Sequence, residues 1–487
     1  MSRFSKEKLE PGKAVEESRR IYAEHMRALL TEYVGIPNLS PEFDPGDPKG
    51  HTERAVRLFA RYAEDQKRFL RKNGEGVMVS IERRPGGSPL ILITAPGDLP
   101  GNTLIYGHLD KQPPGEGWSE GLGPYTPVEK DAKLYGRGAA DDGYAMPAAL
   151  ASIRILDQQG VPRPTCTIII ESGEESGSPD MPFYLDLIEK RLEEWKIEKP
   201  MTVICLDSGA GDREHLWQTS SLRGVANLTV DVRTADNPAH SGERSGLLAD
   251  PFRVVRDLLS RIEDPKTGEV ILPELSIEIP EERMKEIEAA APILAEEIRK
   301  NQKRPEGADL TTDDPKELVV WNTWKATLTV VGIDGLPSVD TAGNVQQPRL
   351  RLKLSVRIPP GIDAAAAAAA LKRALESAPL DGAKVSIEII GTPGDGWNAS
   401  PQSPKLKEAI AESAETYFGG PLMALGEGGS IPLMNELEKR FPGAQFLVTG
   451  VLGPGSNAHG PDESLDIDYT VGKLIPALAA IIAASGK

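Results

Sequence analysis

The first 215 residues alternate short apolar runs with segments whose apolar side chains recur at helical spacing. Thr103–Tyr106 and Thr165–Ile170 are short and rich in β-branched residues, which is typical of buried strands. Residues 143–159 and 182–196 have apolar positions three and four apart, which predicts helices. Strands that alternate with helices favour an α/β domain, with a mostly parallel sheet and helices on both faces.

After His215 the pattern changes to one in which apolar and polar residues alternate. Ala226–Arg233 and Arg349–Arg357 show the alternation expected of half-exposed antiparallel strands. Asp363 precedes seven alanines, and because alanine is the best helix former this tract predicts a capped helix. The block reads as β-α-β-β-α-β, which predicts an inserted α+β domain of the ferredoxin-like type. The predicted division is 1–215 for the first part of the α/β domain, 216–393 for the insertion and 394–487 for the second part.

The composition of the chain argues against nucleic acid and membranes as partners. The formal net charge of −17 argues against nucleic acid, since phosphate binding needs clustered lysine and arginine. Met1–Lys13 is charged, and no run approaches the roughly 18 apolar residues of a membrane span. We therefore expect a cytoplasmic protein with no membrane partner. Cys166 and Cys205 each lie in an apolar run, which favours two buried thiols over a disulfide.

Imidazole and carboxylate side chains follow several of the predicted strands. In open α/β sheets the carboxyl ends of the strands meet at one edge, where ligands bind. Imidazole nitrogen and carboxylate oxygen bind divalent ions of the zinc kind, and two such ions share a bridging carboxylate. The sequence therefore predicts two divalent cations at this edge, Zn²⁺ above all, with Mn²⁺ or Co²⁺ as alternatives. The candidate residues are His108, Asp141, Glu174, Glu175, Asp207 and His459.

Two short patterns suggest roles beyond metal binding. In His108-Leu109-Asp110, residues two apart on an extended chain face the same side, so Asp110 can orient the imidazole. Glu174 and Glu175 are adjacent, and one carboxylate can bind metal while the other stays available as a base. Repulsion between the two negative charges would raise the pKa of that base.

Five motifs in combination resemble a known family. They are similar to the two-metal peptidases of the carnosine dipeptidase type, which belong with the aminoacylases and glutamate carboxypeptidases. The resemblance extends from about Val34 to the end of the chain. The motifs are Gly107–Asp110, Gly136–Gly143, Glu171–Ser178, Leu206–Ser208 and Ala458–Glu463.

The resemblance implies two sets of metal ligands that share one aspartate. It also implies that Glu174 is the general base and that Asp110 orients a metal-binding histidine. The implied ligands are His108, Asp141 and Asp207 for one zinc ion, and Asp141, Glu175 and His459 for the other.

The resemblance further implies roles for four residues outside the metal centre. His240 resembles a lid histidine that reaches into the partner subunit's site and polarises the scissile carbonyl; a surface histidine is the alternative. Arg357 resembles the arginine that clamps a substrate's terminal carboxylate, with an exposed strand arginine as the alternative. Asn344 falls in the substrate-contacting loop, whose sequence here is atypical. Ser430, in a glycine-rich stretch, belongs either to an anion site or to a helix N-cap. The insertion would then be a lid that also joins two subunits into a homodimer.

Two stretches depart from this picture or compete with it. Where the family commonly has Asp-Asp-Lys-Gly, this chain has Asp141–Tyr144 and so loses a lysine beside the bridging acid. Gly117–Gly121 fits the Gly-x-Ser-x-Gly elbow of serine hydrolases, but prolines and glycines stand where the elbow needs a strand and a helix. We therefore do not expect Ser119 to be a nucleophile.

The leading functional hypothesis is a metal-dependent hydrolase that cleaves the amide bond of dipeptides or small peptides with a free C-terminal carboxylate. A hydroxide that bridges the metals would attack the carbonyl, while Glu174 takes the proton and passes it to the leaving amine. An alternative keeps this machinery but removes an N-acyl or N-carbamoyl group from an amino acid. A non-catalytic peptide-binding relative is disfavoured, because both Asp110 and Glu174 are present.

Overall fold

A computed structural model describes residues 8–486, apart from the side chain of Pro432. The chain divides into two units. The first takes the chain through Thr219, then Ala399–Leu425, and the chain from Glu436 onward. The second takes Ser220–Asn398 and Gly426–Asn435. The second unit thus contains a short return segment that the predicted insertion at 216–393 does not include.

The strands, in chain order, are β1 Met78–Glu82, β2 Leu90–Ala95, β3 Leu99–His108, β4 Val128–Lys130, β5 Lys133–Tyr135, β6 Pro164–Glu171, β7 Thr202–Cys205, β8 Trp217–Leu222, β9 Gly224–Arg233, β10 Ala239–His240, β11 Thr327–Asp334, β12 Val345–Gln346, β13 Arg349–Ile358, β14 Lys384–Gly394, β15 Trp397–Asn398, β16 Met423–Glu427, β17 Gln445–Val448 and β18 Ser464–Asp466.

The α-helices are α1 Pro11–Ile21, α2 Arg27–Val34, α3 His51–Gln66, α4 Ala145–Gln158, α5 Met181–Glu194, α6 Ser241–Arg244, α7 Pro251–Leu259, α8 Glu281–Asn301, α9 Pro315–Thr323, α10 Ala364–Glu376, α11 Pro404–Phe418, α12 Pro432–Arg440 and α13 Ile475–Ala484. Short π-helical turns at Tyr22–Met26 and Asp468–Leu474 precede α2 and α13, and a 3₁₀ turn occupies Glu174–Ser176.

The first unit is built on a six-stranded sheet with the order β1-β2-β6-β3-β7-β17. Strands β6, β3, β7 and β17 pair in parallel, whereas β2 is antiparallel to both of its neighbours. Five of the six strands therefore run in one direction, as the prediction of a mostly parallel sheet required. Helix α4 packs on β3 and β6, and α3 packs on β1 and β2.

The side chains of the central strands explain why this sheet forms the core. All six residues of β2 and the last six residues of β6 are buried, as expected for strands covered on both faces. Helix α4 is buried along most of its length and supplies the apolar layer beside them. The sequence pattern did not predict the short strands β4, β5 and β18, which form a separate antiparallel sheet.

The second unit contains a four-stranded sheet with the order β11-β13-β9-β14, in which every pairing is antiparallel. Its buried apolar residues alternate along β9 and β13, and helices α7 and α10 pack against these strands. This strand order, with α7 and α10 as the crossover helices, is that of a β-α-β-β-α-β unit. Between α7 and β11 the chain adds the packed helix pair α8 and α9, of which α9 was not predicted from the sequence.

Candidate metal centre

Three neighbouring strands of the first sheet deliver acids and a histidine to the same edge. His108 is the last residue of β3, the central strand of the three. Glu174 and Glu175 lie in the 3₁₀ turn that follows β6, and Asp207 lies two residues after β7. Because these strands are parallel, their carboxyl ends coincide, and this is the edge at which open α/β sheets bind ligands.

Asp141 lies between two histidines. Its Oδ1 is 3.0 Å from Nε2 of His108, and its Oδ2 is 3.0 Å from Nε2 of His459. His108 Nε2 is also 3.8 Å from Asp207 Oδ2, and His459 Nε2 is 3.2 Å from Glu175 Oε2. The five predicted metal ligands therefore lie together in the structure. Each oxygen of Asp141 faces a different half of the cluster, which is the arrangement that a bridging carboxylate needs.

Glu174 lies beside the ligands without forming an ion pair with either histidine. One ligand atom each from His108, Glu174 and Asp207 lies within 4.8 Å of the other two. Burial and the negative charge of Asp207 raise the pKa of Glu174 well above its usual range. A carboxylate with this elevated pKa, next to the ligands, is suited to accept and return a proton.

Asp110 connects His108 to the turn that carries the two glutamates. Its Oδ1 accepts a hydrogen bond from the backbone N–H of Glu174 (3.1 Å), and its Oδ2 accepts one from that of Glu175 (2.9 Å). Nδ1 of His108 is 3.1 Å from the main-chain oxygen of Asp110 but 3.5 Å from its carboxylate. The backbone of Asp110 thus contacts the imidazole, and its side chain holds the glutamate turn.

The negative charge of the clustered carboxylates is of the kind that bound cations would compensate. Burial lowers the pKa of His108, but Asp207, Asp110 and Asp141 outweigh it and raise that pKa well above its usual range. Hydrogen bonds to Asp141 and Glu175 raise the pKa of His459 to about 10. Protons on the imidazoles would compensate the carboxylates in the absence of metal, and divalent cations can take their place. Imidazole nitrogen and carboxylate oxygen are also the donor atoms that zinc, manganese and cobalt bind.

A buried glutamate that the sequence analysis did not single out organises the loop before Asp141. Oε1 of Glu463 accepts hydrogen bonds from the backbone N–H groups of Gly138 (2.9 Å), Ala140 (3.3 Å) and Asp141 (3.3 Å). Its Oε2 accepts from Nη1 of Arg137 at 2.7 Å, and both side chains of this pair are buried. Glu463 lies in the motif that carries His459, so the pair links the loops of two of the predicted ligands, Asp141 and His459. Its place in that motif was the one sequence signal for this role.

The segment after α2 fixes the backbone next to His108. The Tyr33 hydroxyl and Asn38 Nδ2 both donate to the main-chain oxygen of Leu109, at 2.5 and 2.7 Å. The fully buried Lys111 donates from Nζ to the main-chain oxygens of Tyr33 (2.9 Å) and Ile36 (2.8 Å). These contacts join residues that are about 75 positions apart, so no local sequence pattern indicates them.

The loss of the family's lysine in Asp141–Tyr144 has a steric explanation. A Cβ atom on Gly143 would lie 2.3 Å from Cε1 of Tyr33 and 2.6 Å from the main-chain oxygen of Gly138. No side chain fits there while Tyr33 keeps its position. The neighbouring Asp142 accepts from the backbone N–H of His108 at 3.1 Å and so helps to position this predicted ligand.

The Ser119 motif is not a nucleophile elbow. The Ser119 hydroxyl donates to Oδ2 of Asp462 at 2.5 Å, and its backbone N–H donates to Oδ1 at 2.9 Å. The residue is exposed and lies outside any strand or helix, as the sequence interpretation required.

The four remaining candidates lie in the second unit as two pairs. His240 and Val345 are partners in the short β10–β12 ladder, which brings His240 next to Asn344, and both are exposed. Arg357 on β13 donates from Nη1 to the Ser430 hydroxyl at 3.4 Å. Ser430 Oγ itself donates to the main-chain oxygen of Arg223 at 2.6 Å.

The comparison with protein families shows the family to which this chain belongs. The model of peptidase family M20/M25/M40 matches residues 104–484, most of the chain. The chain belongs to this peptidase family. The matched region includes all the metal-ligand candidates and Glu174, and the resemblance drawn from the motifs is confirmed.

Individual relatives agree with the family assignment. A cysteinylglycine-S-conjugate dipeptidase of Corynebacterium striatum is 27% identical over 437 residues, 88% of this chain and 90% of the relative. The human Beta-Ala-His dipeptidase is 30% identical over 361 residues, 71% of this chain and 68% of the relative. The solved structure of the dipeptidase Dug1p from Saccharomyces cerevisiae has the same fold, with a TM-score of 0.73 at 19% identity. That match covers 98% of this chain and 99% of that one.

Membership of the M20 family makes the chain a metal-dependent peptidase-type hydrolase, and the clustered imidazoles and carboxylates provide a place for divalent ions. Among residues 8–486, every helix is too short or too polar to be a membrane span.

Proposed function

We propose that this M20 enzyme is a dipeptidase, which hydrolyses the amide bond of dipeptides or small peptides with a free C-terminal carboxylate. The observation that carries the proposal is the position of Asp141 between His108 and His459, with Glu174 beside them. Two of the relatives are named as dipeptidases, one for cysteinylglycine conjugates and one for β-Ala-His, which supports a substrate of two residues.

The metal centre would be held by the five clustered ligands. His108, Asp141 and Asp207 would hold one ion, and Asp141, Glu175 and His459 the other, with zinc as the proposed metal. Bound divalent ions supply Lewis acidity, which activates water and polarises a carbonyl group. The chain's own contribution is Glu174, whose carboxylate would take a proton from the attacking water and return it to the leaving amine. Asp110 holds Glu174 through its backbone and so fixes the position of this base.

His240 is suited to donate a hydrogen bond to a substrate carbonyl. Its Nδ1 accepts from the backbone N–H of Gly242 at 3.1 Å. The neutral ring must then carry its proton on Nε2, which leaves Nε2 as the donor. We propose that His240 stabilises the developing oxyanion of the substrate, in the active site of a partner subunit, and that Asn344 beside it contacts the substrate.

Arg357 and Ser430 are the proposed binding site for the substrate's terminal carboxylate. Arg357 is half-buried and has no acidic partner among the described residues, so its guanidinium can form charge-assisted hydrogen bonds to an anion. The Ser430 hydroxyl donates its proton to the main-chain oxygen of Arg223 instead of capping α12, and its oxygen accepts from Nη1 of Arg357. Its proposed part in the carboxylate site is therefore to position Arg357.

A homodimer through the second unit is supported by the exposed edge of its sheet. β11 is an edge strand, and Val331 and Ile333 on it expose 53% and 52% of their surface. Val330 beside them is 42% exposed. An apolar edge strand readily pairs with another chain, and a symmetric copy of the same edge is its simplest partner. The lid role, the homodimer and the cytoplasmic location remain predictions.

A substrate panel tests the proposed function. The purified enzyme would be given dipeptides, N-acetyl amino acids and N-carbamoyl amino acids, each with and without a chelator. Cleavage of dipeptides alone, lost with chelator, is the expected result. Preferential cleavage of the acetyl or carbamoyl compounds would replace the proposal with an amidohydrolase, and turnover of none of them would remove it. Reconstitution with Zn²⁺, Mn²⁺ or Co²⁺ in turn would identify the most active metal.

A further inference from the structure

Two arginines of the second unit lie at one site where none of the described acidic residues neutralises them. Arg223 is 93% buried and Arg357 is half-buried. Burial lowers the pKa of Arg223 to about 10, and the charge of Arg357 contributes to the same shift. No described carboxylate raises the pKa of Arg223 or of Arg357 in compensation. The buried Arg137 is different, since Glu463 pairs with it at 2.7 Å. A buried cation beside a half-buried one, without a counter-charge, is costly unless an anion joins them.

The contacts of Arg223 leave one nitrogen of its guanidinium unused. Nε donates to the main-chain oxygen of Gly428 (3.3 Å), and Nη1 donates to Thr327 Oγ1 (3.2 Å) and to the main-chain oxygens of Lys325 (3.3 Å) and Trp321 (3.4 Å). Nη2 donates to no described residue, and it is not among the unpartnered atoms sealed from the surface. The side chain is therefore held rigidly by two of its nitrogens while the third stays open.

Glycine at position 428 keeps the space in front of Nη2 clear. A Cβ atom on Gly428 would lie 2.9 Å from Nη2 of Arg223 and 2.8 Å from the main-chain oxygen of Asn322. A Cβ this close to a backbone oxygen forces a shift of the loop. The absence of a side chain at Gly428 thus keeps Nη2 of Arg223, which donates to no described residue, accessible.

Ser430 joins the two arginines. Its hydroxyl donates to the main-chain oxygen of Arg223 at 2.6 Å and accepts from Nη1 of Arg357 at 3.4 Å. The backbone N–H of Arg223 also donates to the main-chain oxygen of Glu427 at 3.2 Å. The strand that carries Arg223, the glycine-rich stretch and Arg357 are therefore one connected structure within the second unit.

We propose that Arg223 is a second cationic residue of the carboxylate site and presents Nη2 to the terminal carboxylate of the substrate beside Arg357. This inference rests on the proposed function, because it assigns the anion as the C-terminus of a dipeptide. Two guanidinium groups on one carboxylate would make the enzyme specific for peptides with a free C-terminus. Arg223 would thereby act on substrate selection and not on proton transfer.

The test compares a cleavable dipeptide with the same dipeptide as its C-terminal amide. In Arg223→Met, KM for the dipeptide is expected to rise about 10- to 100-fold, the range for losing a hydrogen bond to a charged group. Turnover at saturation and KM for the amide should change little. Arg223→Lys keeps the positive charge but lacks the planar guanidinium, so KM for the dipeptide should rise less than in Arg223→Met. Gly428→Ala retains both arginine residues but places a methyl group at Nη2 of Arg223 and shifts the loop, so KM for the dipeptide should again rise while KM for the amide should change little.

The matched control is Arg349→Met, which removes an exposed arginine of the same unit that pairs with Asp231. It should behave as wild type. If Arg357→Met raises KM for the dipeptide and the Arg223 and Gly428 variants do not, the role of Arg223 is refuted and the proposed function stands. An equal rise for dipeptide and amide in Arg223→Lys would show a structural role and also refute it. A wild-type enzyme that cleaves neither compound would instead contradict the proposed function itself.

Discussion

Glu174 and Glu175 are adjacent in sequence, but the structure gives their carboxylates different surroundings. Oε2 of Glu175 lies 3.2 Å from His459 Nε2 and accepts a hydrogen bond from Gln112 Nε2 at 2.6 Å. Glu174 lies beside His108 and Asp207, and burial together with the charge of Asp207 raises its pKa. A carboxylate engaged by a ligand histidine and one with a raised pKa are suited to metal binding and to proton transfer respectively.

Replacing Glu174 with glutamine should therefore separate proton transfer from metal binding. We expect kcat of Glu174→Gln to fall about 10²- to 10⁴-fold, the usual contribution of a general base. Metal content, measured by elemental analysis, should stay at the wild-type level, because the five ligands are intact. Glu193→Gln, at an exposed position of α5, is the matched control. Full turnover in Glu174→Gln would show that the base has been misassigned.

The two cysteines should be unreactive in the folded protein. Both are buried thiols, as the sequence predicted, and neither is joined in a disulfide. Burial raises the pKa of Cys166 from 9.0 to about 11, so the reactive thiolate is scarce at neutral pH. A thiol reagent at pH 8 should modify the native protein slowly and modify two thiols per chain in denaturant. Rapid modification of native wild type, abolished in Cys166→Ala, would contradict the burial of Cys166.

The same pKa shift sets a direction for stability at high pH. The unfolded thiol of Cys166 ionises near pH 9 and the folded one near pH 11, so the unfolded state loses its proton first. Its contribution to stability is complete below pH 9 and is lost as the pH rises towards 11. The free energy of unfolding would be measured in urea between pH 9 and pH 11. It should decline more steeply with pH in the wild type than in Cys166→Ala.

At the scale of the element, the polyalanine helix shows how local sequence determines structure. Oδ1 of Asp363 accepts a hydrogen bond from the backbone N–H of Ala366 at 2.7 Å and caps α10. Ala364, Ala367 and Ala368 are buried against the sheet, so this face is selected by packing as well as by helix propensity. A low-complexity tract thereby becomes a regular part of the core of the second unit.

Removal of that cap should destabilise the second unit. Asp363→Ala is expected to lower the free energy of unfolding by about 1 kcal/mol, the usual cost of losing an N-cap. Circular dichroism during urea denaturation would measure it. Asp309→Ala, in an exposed loop of the same unit, should have no measurable effect. An unchanged midpoint for Asp363→Ala would mean that the cap does not contribute to stability.

At the scale of the whole molecule, the metal centre should contribute to stability as well as to catalysis. Four carboxylates and two histidines lie within a few ångströms of one another. Bound cations would compensate them, and any ligand that binds only the folded state stabilises it by mass action. At free metal about 100 times its Kd, each site would add about 2.7 kcal/mol.

Chelation should accordingly abolish activity and lower the thermal midpoint, and added Zn²⁺ should restore both. Differential scanning calorimetry with a peptidase assay would measure the two effects together. Asp141→Asn should prevent the recovery of both, because it weakens the carboxylate shared by the two ligand sets. Active wild-type protein that contains no metal by elemental analysis would exclude the metal-dependent mechanism.

The exposed edge of β11 should determine the oligomeric state. Val331→Lys would place a charge in the edge pairing and is expected to give monomers in light scattering. If His240 acts in the partner's site, the monomers should also lose most of their activity. Lys384→Glu, at the start of the opposite edge strand β14, is the control and should remain dimeric. A wild-type monomer with full activity would contradict both the dimer and the lid histidine.

The sequence by itself determined three features. These are the alternation of strands and helices in the first unit, the amphipathic strands of the second unit and the residues that could bind metal. These features are local: periodicity reports which face of an element is buried, and motif chemistry lies in contiguous residues. For the same reason, the direction of most strands in the first sheet followed from the βα alternation.

Only the tertiary structure decided which groups support the site. Glu463 contacts backbone more than 300 residues away, Lys111 bonds to carbonyls some 75 residues away, and Arg223 meets Ser430 across 207 residues. No sequence pattern encodes such contacts, because they depend on where distant segments pack and on which polar groups that packing buries. The strand β18 was missed for the same reason, since only its pairing with the distant β5 defines it. The hairpin of β4 and β5 is local, but its strands of three residues each are too short to show an alternating pattern.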